Sequence, residues 1–383
     1  MQFVGIGDSA QNRGMPEFDF AVIGAGVFGA WLARTLHRRG KRVLLVDQYG
    51  PANNRASSGG ETRILRMGYG SKEIYTRWSW RARELYREFY ATTDPTLLQP
   101  TGILWLSRRE DETAQATMAT FGRCGVPYEW LPAAEIEARF PQFRVEAERG
   151  AIWEPDAAGL LARRGVQTVV RETVREGLTF RQQAYGMPAG EAAVYVYACG
   201  PWLPKVFPEV LGGRIRPTRQ EVLYFGTGAG DGKWRAPAMP CWIDSAAGLY
   251  GIPDIEDRGF KIAIDRHGPE VDPDTQNRLV DEATVERVRA YVARRFPELA
   301  AAPLVQTEVC QYENTVDGDY LIDRHPEFDN VWLLGGGSGH GYKHGPVVGE
   351  YVAAALLDGA PIDPMFALAG KRLYAEGTRK STI

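Results

Sequence analysis

The stretch FDFAVIGAGVFGAWLARTLHRRGKRVLLVDQ, residues 18–48, constrains the fold more than any other part of the chain. An apolar run from Phe18 to Ile23 predicts a strand, which ends at Gly24-Ala25-Gly26-Val27-Phe28-Gly29. A helical pattern then runs to Arg39, with Trp31, Leu32 and Leu36 apolar and Arg34, Arg38 and Arg39 polar. Gly40 supplies a helix stop. A second apolar run, Val43 to Val46, ends at Asp47. Strand, G-x-G-x-x-G, helix, strand, acid is the order of a Rossmann-type dinucleotide unit. Gly24 allows the tight turn, Gly26 lets backbone approach a pyrophosphate, and Gly29 lets helix and strand pack closely. The helix N-terminus offers amides and a positive dipole end to phosphates. Asp47, 23 residues after the first glycine, is placed to bind ribose hydroxyls. The motif alone fits NAD or FAD.

At 383 residues, with 44% hydrophobic and 24% charged residues, the chain has room for two or three domain-sized units. Lys and Arg number 45 against 48 Asp and Glu, a net charge of −3, so there is no basic excess for nucleic acid. No segment reaches the ~20 apolar residues of a membrane span. The four cysteines, Cys124, Cys199, Cys241 and Cys310, are scattered and form no C-x-x-C, which fits a reducing cytoplasm rather than a disulfide framework. The histidines (His37, His267, His325, His340, His344) form no zinc spacing with them. His340 and His344 are four apart but lie among glycines ahead of a helix, so no metal is expected. Residues 1–15 read as a loose tail without the basic start and apolar run of a signal peptide, and Met15 is a second candidate start. The ending RKSTI is no clear peroxisomal signal.

Along the chain, periodicity predicts helices over 72–90, 110–122, 132–140, 160–174 and 281–296. Strands are expected at GILWLS, at LTFRQQAYG, at AAVYVYACGPWLP (ending at Gly200, with Trp202 beyond) and through a strand-rich middle, 215–264. Near the C-terminus an apolar strand meets a second glycine run, Gly335 to Gly345, and then a helix from about Pro346. Two Gly-rich strand-to-helix turns at opposite ends of the chain suit a long, two-ended cofactor such as FAD.

Six stretches, in order, carry a resemblance: VIGAGVFGAWLARTLHRRGKRVLLVD, SSGGETRILRMGYG, YACGPWLP, GFKIAIDRHGPEVDPDT, VCQYENTVDGDYLIDRHP and GGGSGHGYKHGPVVGE. The chain resembles the D-amino-acid oxidase superfamily of flavoproteins, and within it the monomeric sarcosine oxidase and N-methyltryptophan oxidase group. The resemblance implies an α/β (α+β overall) architecture: a Rossmann-type FAD domain, discontinuous over 16–90, 150–215 and 310–375, and a mixed-sheet substrate domain over 91–149 and 216–309. It implies a cytoplasmic, monomeric amine oxidase that takes a small amine and molecular oxygen. Hydride passes to flavin N5, the imine hydrolyses, and oxygen returns as hydrogen peroxide. An FAD-dependent dehydrogenase, or a tailoring amine oxidase, using another electron acceptor or a non-amino-acid amine, is the alternative.

The resemblance also implies roles for residues. Gly24, Gly26, Gly29, Asp47, Ser57, Ser58, Arg63, Gly200, Trp202, Gly337, Gly339, Gly341 and Lys343 match cofactor-binding positions. Lys261 matches a lysine over the flavin that promotes reduction of oxygen, a fixed positive charge favouring superoxide. By alternation alone Lys261 shares a solvent face with Ala263 and Asp265. Arg63 matches an arginine that sets the field at the flavin ring. Arg66 and Lys343 match the pair that binds the substrate carboxylate, and Tyr250 and Tyr312 match residues lining the substrate cavity. Cys310 matches a cysteine bonded as a thioether to the 8α-methyl carbon of FAD, a bond that needs a thiolate near positive charge.

Departures matter too. Asp265 stands where close relatives often have histidine over the substrate, and Gly59 where they often have histidine in the arginine loop. An added carboxylate points to a bulkier or more basic secondary amine, or a cyclic imino acid, in place of sarcosine. The segment between Val174 and Tyr195 is several residues short, so one hairpin of the FAD domain is expected to be trimmed.

Overall fold

The computed structural model describes residues 15–188 and 190–375. Apart from Met15, the expected tail lies outside them. A six-stranded sheet organises one half of the molecule, in the order Leu321–Arg324, Val331–Gly335, Ala192–Tyr197, Phe18–Ile23, Val43–Asp47, Thr179–Gln182. Every neighbouring pair in it is parallel except the Leu321–Arg324 pair. Its strands are nearly continuous apolar runs because both faces are covered. Helices Val27–Arg38, Glu73–Thr93 and Gly345–Asp358 lie on one side, and Leu203, Phe207 and their neighbours lie on the other. Among the described residues no strand lies between Gln182 and Ala192, where the trimmed hairpin was expected.

An eight-stranded mixed sheet builds the other half, in the order Leu304–Asn314, Arg216–Phe225, Phe260–Ile264, Leu249–Ile252, Cys241–Asp244, Ile103–Ser107, Gly150–Glu154, Glu129–Pro132. Only the pairing of Cys241–Asp244 with Ile103–Ser107 is parallel. Helix Glu282–Arg295 closes one face over Trp242, Phe260 and Phe296. Strand Gly150–Glu154, expected in the FAD domain, belongs to this sheet, and Leu304–Asn314, also in it, straddles the expected boundary at 309/310. A small third sheet, Thr62–Leu65 against Ala158–Leu161 against Leu98–Pro100, holds the arginine segment.

Predicted helices and strands appear within a few residues of their expected ends. Two charged residues differ from the expectation. Lys261 is 2% exposed, because both faces of Phe260–Ile264 are covered. Arg34 is also buried; its guanidinium reaches Thr173 and Glu176 and lies over the Phe89 ring. Amphipathic reading assigns such a residue to solvent only when one face of its element is free.

Candidate active site

The first glycine turn is shaped by contact. Gly24 has φ +107°, and a Cβ there would sit 2.3 Å from the Ala198 carbonyl oxygen. A Cβ on Gly29 would meet the Gly24 carbonyl oxygen at 1.9 Å, so this glycine packs the helix on the turn and does not line the cleft. The Val27 N–H at the helix start is taken by Ser58 Oγ at 3.1 Å. Asp47 accepts from the Ala25 and Tyr49 N–H groups at 2.8 and 2.9 Å. Burial holds its carboxyl up, and the backbone donors oppose that.

From this turn runs a cleft with an empty volume of about 1250 Å³. Gly24, Gly26, Asp47, Ser57, Ser58, Arg63, Gly200, Trp202, Tyr312, Gly337, Gly339 and Gly341 all line it. It therefore draws on the first strand-helix unit, the arginine segment, the loop after Ala192–Tyr197, the strand Leu304–Asn314 and the second glycine turn. Trp202 is held by its Nε1–H on Asp274 at 2.7 Å and lies 6.2 Å from Tyr49, ring to ring. Two buried polar atoms on the cleft wall lack a hydrogen-bond partner among the described residues, Ser57 Oγ and Glu313 Oε2. A long cleft with a ribose-type acid, a helix N-terminus and orphaned polar atoms on its wall fits FAD.

At one end of the cleft three sequence-predicted residues meet. Arg63 donates to the Thr62 and Ser57 carbonyl oxygens at 2.7 and 2.6 Å and to Cys310 Sγ at 3.4 Å. Lys261 Nζ donates to the Thr62 carbonyl oxygen at 2.8 Å and lies 5.9 Å from the Tyr250 ring. Burial, then the Arg63 charge, pushes Lys261 down to about 7. Cys310 is a half-buried free thiol on the strand that also carries Tyr312.

Beside this lies the expected cation pair. The Arg66 guanidinium stacks on Tyr69 at 4.5 Å and on Trp105 at 4.6 Å, and it donates to the Gly68 carbonyl oxygen. Lys343 Nζ, buried, donates to Tyr69 Oη at 2.9 Å and to the His340 carbonyl oxygen at 3.0 Å. Tyr69, which the sequence reading did not single out, thus joins both cations. Lys343 faces Tyr69 and not the cofactor cleft. Burial and then the Arg66 charge hold Lys343 well below its ordinary range. Asp265 belongs to the same field: burial raises its carboxyl, while Arg66 and Lys343 pull it down. Tyr250 and Tyr312 interact with each other and with Asp265. The neighbouring His267 ring stands edge-on to Tyr312 at 6.3 Å, its Nε2 without a partner among the described residues. His340 and His344 both turn Nδ1 to the Tyr320 hydroxyl, at 3.0 and 2.5 Å.

The Gly59 departure has a steric cause. A Cβ there would fall 2.0 Å from the Asn53 carbonyl oxygen, so no side chain fits.

The chain matches the family model described as "DAO: FAD dependent oxidoreductase" over residues 19–355. It is 31% identical to a monomeric sarcosine oxidase of Streptomyces avermitilis over 384 aligned positions, covering 94% of this chain and 99% of that protein. It is 29% identical to a human peroxisomal sarcosine oxidase, with 87% and 90% covered, and 25% identical to an N-methyl-L-tryptophan oxidase of Yersinia pestis, with 91% and 97% covered. Among solved structures, L-proline dehydrogenase from P. horikoshii matches with a TM-score of 0.78 at 20% identity, covering 92% of this chain and 97% of that one. Glycine oxidase from Geobacillus kaustophilus matches at 0.75 and 19%, with 92% and 99% covered. The family match spans both glycine turns and every residue that lines the cleft, and the chain belongs to the DAO family of FAD-dependent oxidoreductases.

Proposed function

We propose that this protein is an FAD-dependent oxidase of a secondary amine, an N-methyl or cyclic amino acid, that returns the electrons to oxygen as hydrogen peroxide. The observation that carries the reading is the meeting of Arg63, Lys261 and Cys310 at one end of the cleft, with the Arg66–Tyr69–Lys343 cluster beside it. The names of the sarcosine and N-methyltryptophan oxidases it resembles support the substrate class. FAD bound in the cleft supplies the hydride acceptor for the C–N bond.

The protein's own groups do the rest. Arg66 and Lys343 hold the substrate carboxylate, and Tyr69 fixes their spacing. The carboxylate restores the Lys343 proton that burial disfavours. Tyr250 and Tyr312 wall the cavity. Asp265 sets a negative charge against the same cations, which favours a bulkier or more basic amine, or a cyclic imino acid, over sarcosine. Lys261, when protonated, offers a fixed cation to reducing oxygen. Cys310, under the Arg63 guanidinium, would hold FAD through a thioether to the flavin methyl carbon, the thiol proton and one methyl hydrogen being lost as the flavin takes the electron pair and passes it to oxygen. The six-stranded and eight-stranded halves act as FAD and substrate domains of a cytoplasmic monomer. Among the described residues no helix is long and apolar enough to cross a membrane.

Anaerobic bleaching of the flavin band near ~450 nm across a panel of N-methyl and cyclic amino acids tests the reading. Fastest bleaching with sarcosine would remove the substrate assignment. Bleaching without peroxide on re-aeration would favour the dehydrogenase alternative. For the covalent bond, the acid-precipitated protein stays yellow and the Cys310→Ser pellet is colourless. A colourless pellet from the unchanged protein refutes the bond.

A further inference from the structure

Glu313 is a buried acid of the cleft wall with no assigned part. It is 8% exposed and lies three residues past Cys310 on the strand Leu304–Asn314. Oε1 accepts from the Gly337 N–H at 3.2 Å, and Oε2 has no partner among the described residues. The carboxyl is wedged between two glycines that both line the cleft. A Cβ on Gly200 would fall 2.9 Å from Oε2, and one on Gly337 would fall 2.9 Å from Oε1. Side chains at either position would collide with the carboxyl, so the two glycines let it lie directly behind the cleft wall with no side chain in between. A buried carboxyl oxygen without a donor is a costly arrangement in a protein that keeps its cleft empty, and an ordinary one where a ligand brings the donor.

We propose that Glu313 Oε2 accepts a hydrogen bond from a hydroxyl of the ribityl chain of FAD, an inference that rests on the FAD reading above. The chemistry of the cofactor selects the partner. A pyrophosphate offers only acceptors and negative charge, which an ionised carboxylate repels. The adenosine ribose is the partner of Asp47. The ribityl polyol, which joins the pyrophosphate to the flavin ring, is the remaining part rich in hydroxyl donors.

The charge state of Glu313 then couples to cofactor binding. Its carboxyl is pushed up to about 7 by burial, against the single Gly337 N–H. Among the described residues the titratable group that acts with it is Cys199, on the loop before Gly200, whose thiol burial keeps protonated. Arg63 and Asp47 also line the cleft but do not act on Glu313. With no cation at hand, a hydroxyl donor favours the ionised form, so cofactor binding near neutral pH releases a proton and tightens as pH rises.

The test uses the flavin-free Cys310→Ser protein, in which FAD exchanges, with FAD and ADP as probes. FAD affinity should rise several-fold between pH 6 and pH 8.5, with a ceiling of about tenfold across that window for a carboxyl that titrates at about 7 in the free protein. Glu313→Gln should flatten that slope and weaken FAD at pH 8.5 while leaving ADP affinity as it was. In weakly buffered solution at pH 7, FAD should release protons from the Cys310→Ser protein with Glu313 intact, a readout that needs no change at Glu313. An unchanged slope in Glu313→Gln, equal weakening of ADP, tighter FAD binding at pH 6, or no proton release each overturns the inference. A protein that takes up no FAD at either pH sinks the FAD reading itself; uptake without a slope sinks only the role of Glu313.

Discussion

Lys261 is the residue whose surroundings act most directly on chemistry. Its amine has a carbonyl and a hydroxyl of Thr62 for company and no carboxylate within ion-pair distance among the described residues, so burial and Arg63 bring it down to about 7. Lys261→Met should slow reoxidation of the reduced protein by oxygen by about 100-fold or more while leaving anaerobic bleaching by substrate within a few-fold, as read by stopped-flow absorbance. The same shift makes a stability prediction. The unfolded chain keeps this proton up to about 10.5 and the folded apoprotein up to about 7, so within that window the unfolded state binds more protons and raising pH favours the fold. From pH 7 to 8.5 the group should add up to about 2 kcal/mol, at about 1.4 kcal/mol per unit, and Lys261→Met should remove that part of the slope in urea unfolding of the apoprotein. Lys343, also held down by burial, adds slope of the same sign, and Glu313, Cys199 and Cys241, all held up, oppose it, so the difference between the unchanged protein and Lys261→Met isolates this group. Neither this lysine's burial nor that of Arg34 follows from alternation. A sequence period reports which residues share a face, and only the layer packed on that face decides whether water reaches it.

Elements with a strong period were legible in the sequence, and their partners were not. The helix expected at 281–296 is present as Glu282–Arg295, but its last residue is fully buried. Arg295 and Arg149 share Asp244, at 3.2 and 2.9 Å, and Tyr291 Oη donates to the same carboxylate at 3.1 Å. This cluster ties the helix to the far side of the eight-stranded sheet. Asp244→Asn keeps the shape and leaves two guanidiniums without their buried carboxylate, so it should lower stability by about 3–5 kcal/mol, seen as a shifted urea midpoint. The loop holding Gly59 behaves in the opposite way, since its missing side chain is forced by backbone. Gly59→His, which installs the histidine that the resemblance implies at this position, should destabilise the protein by about 1–3 kcal/mol and lower its melting temperature, with no gain in turnover. Motif and resemblance singled out Gly24, Gly26, Asp47, Gly200, Gly337, Gly339 and Gly341, and the structure places all of these on the cleft wall. Tyr69 and Glu313 escaped because their importance is a matter of distance: one touches two cations from separate segments, the other faces glycines more than a hundred residues away in one direction.

For the molecule as a whole, segments from the beginning, middle and end of the chain wall one cleft, so its occupant acts on the global fold. In the Cys310→Ser protein, FAD at 100 times its dissociation constant should add about 2.7 kcal/mol to unfolding, with fluorescence and far-UV dichroism moving together. A midpoint that ignores FAD would mean the cleft walls unfold separately. The packing of the first helix has a further consequence. Val27–Arg38 rests on Gly345–Asp358, where a Cβ on Gly349 would strike the Trp31 backbone at 2.9 Å. Trp31 therefore leaves the ribosome more than 300 residues ahead of the surface that covers it. At ~10 residues per second that is roughly half a minute, during which an apolar helix face stays open. Flavin cannot help in that interval, because its binding wall is not yet made. A chain stopped before Gly345 should accumulate with chaperones or in aggregates, whatever the supply of cofactor.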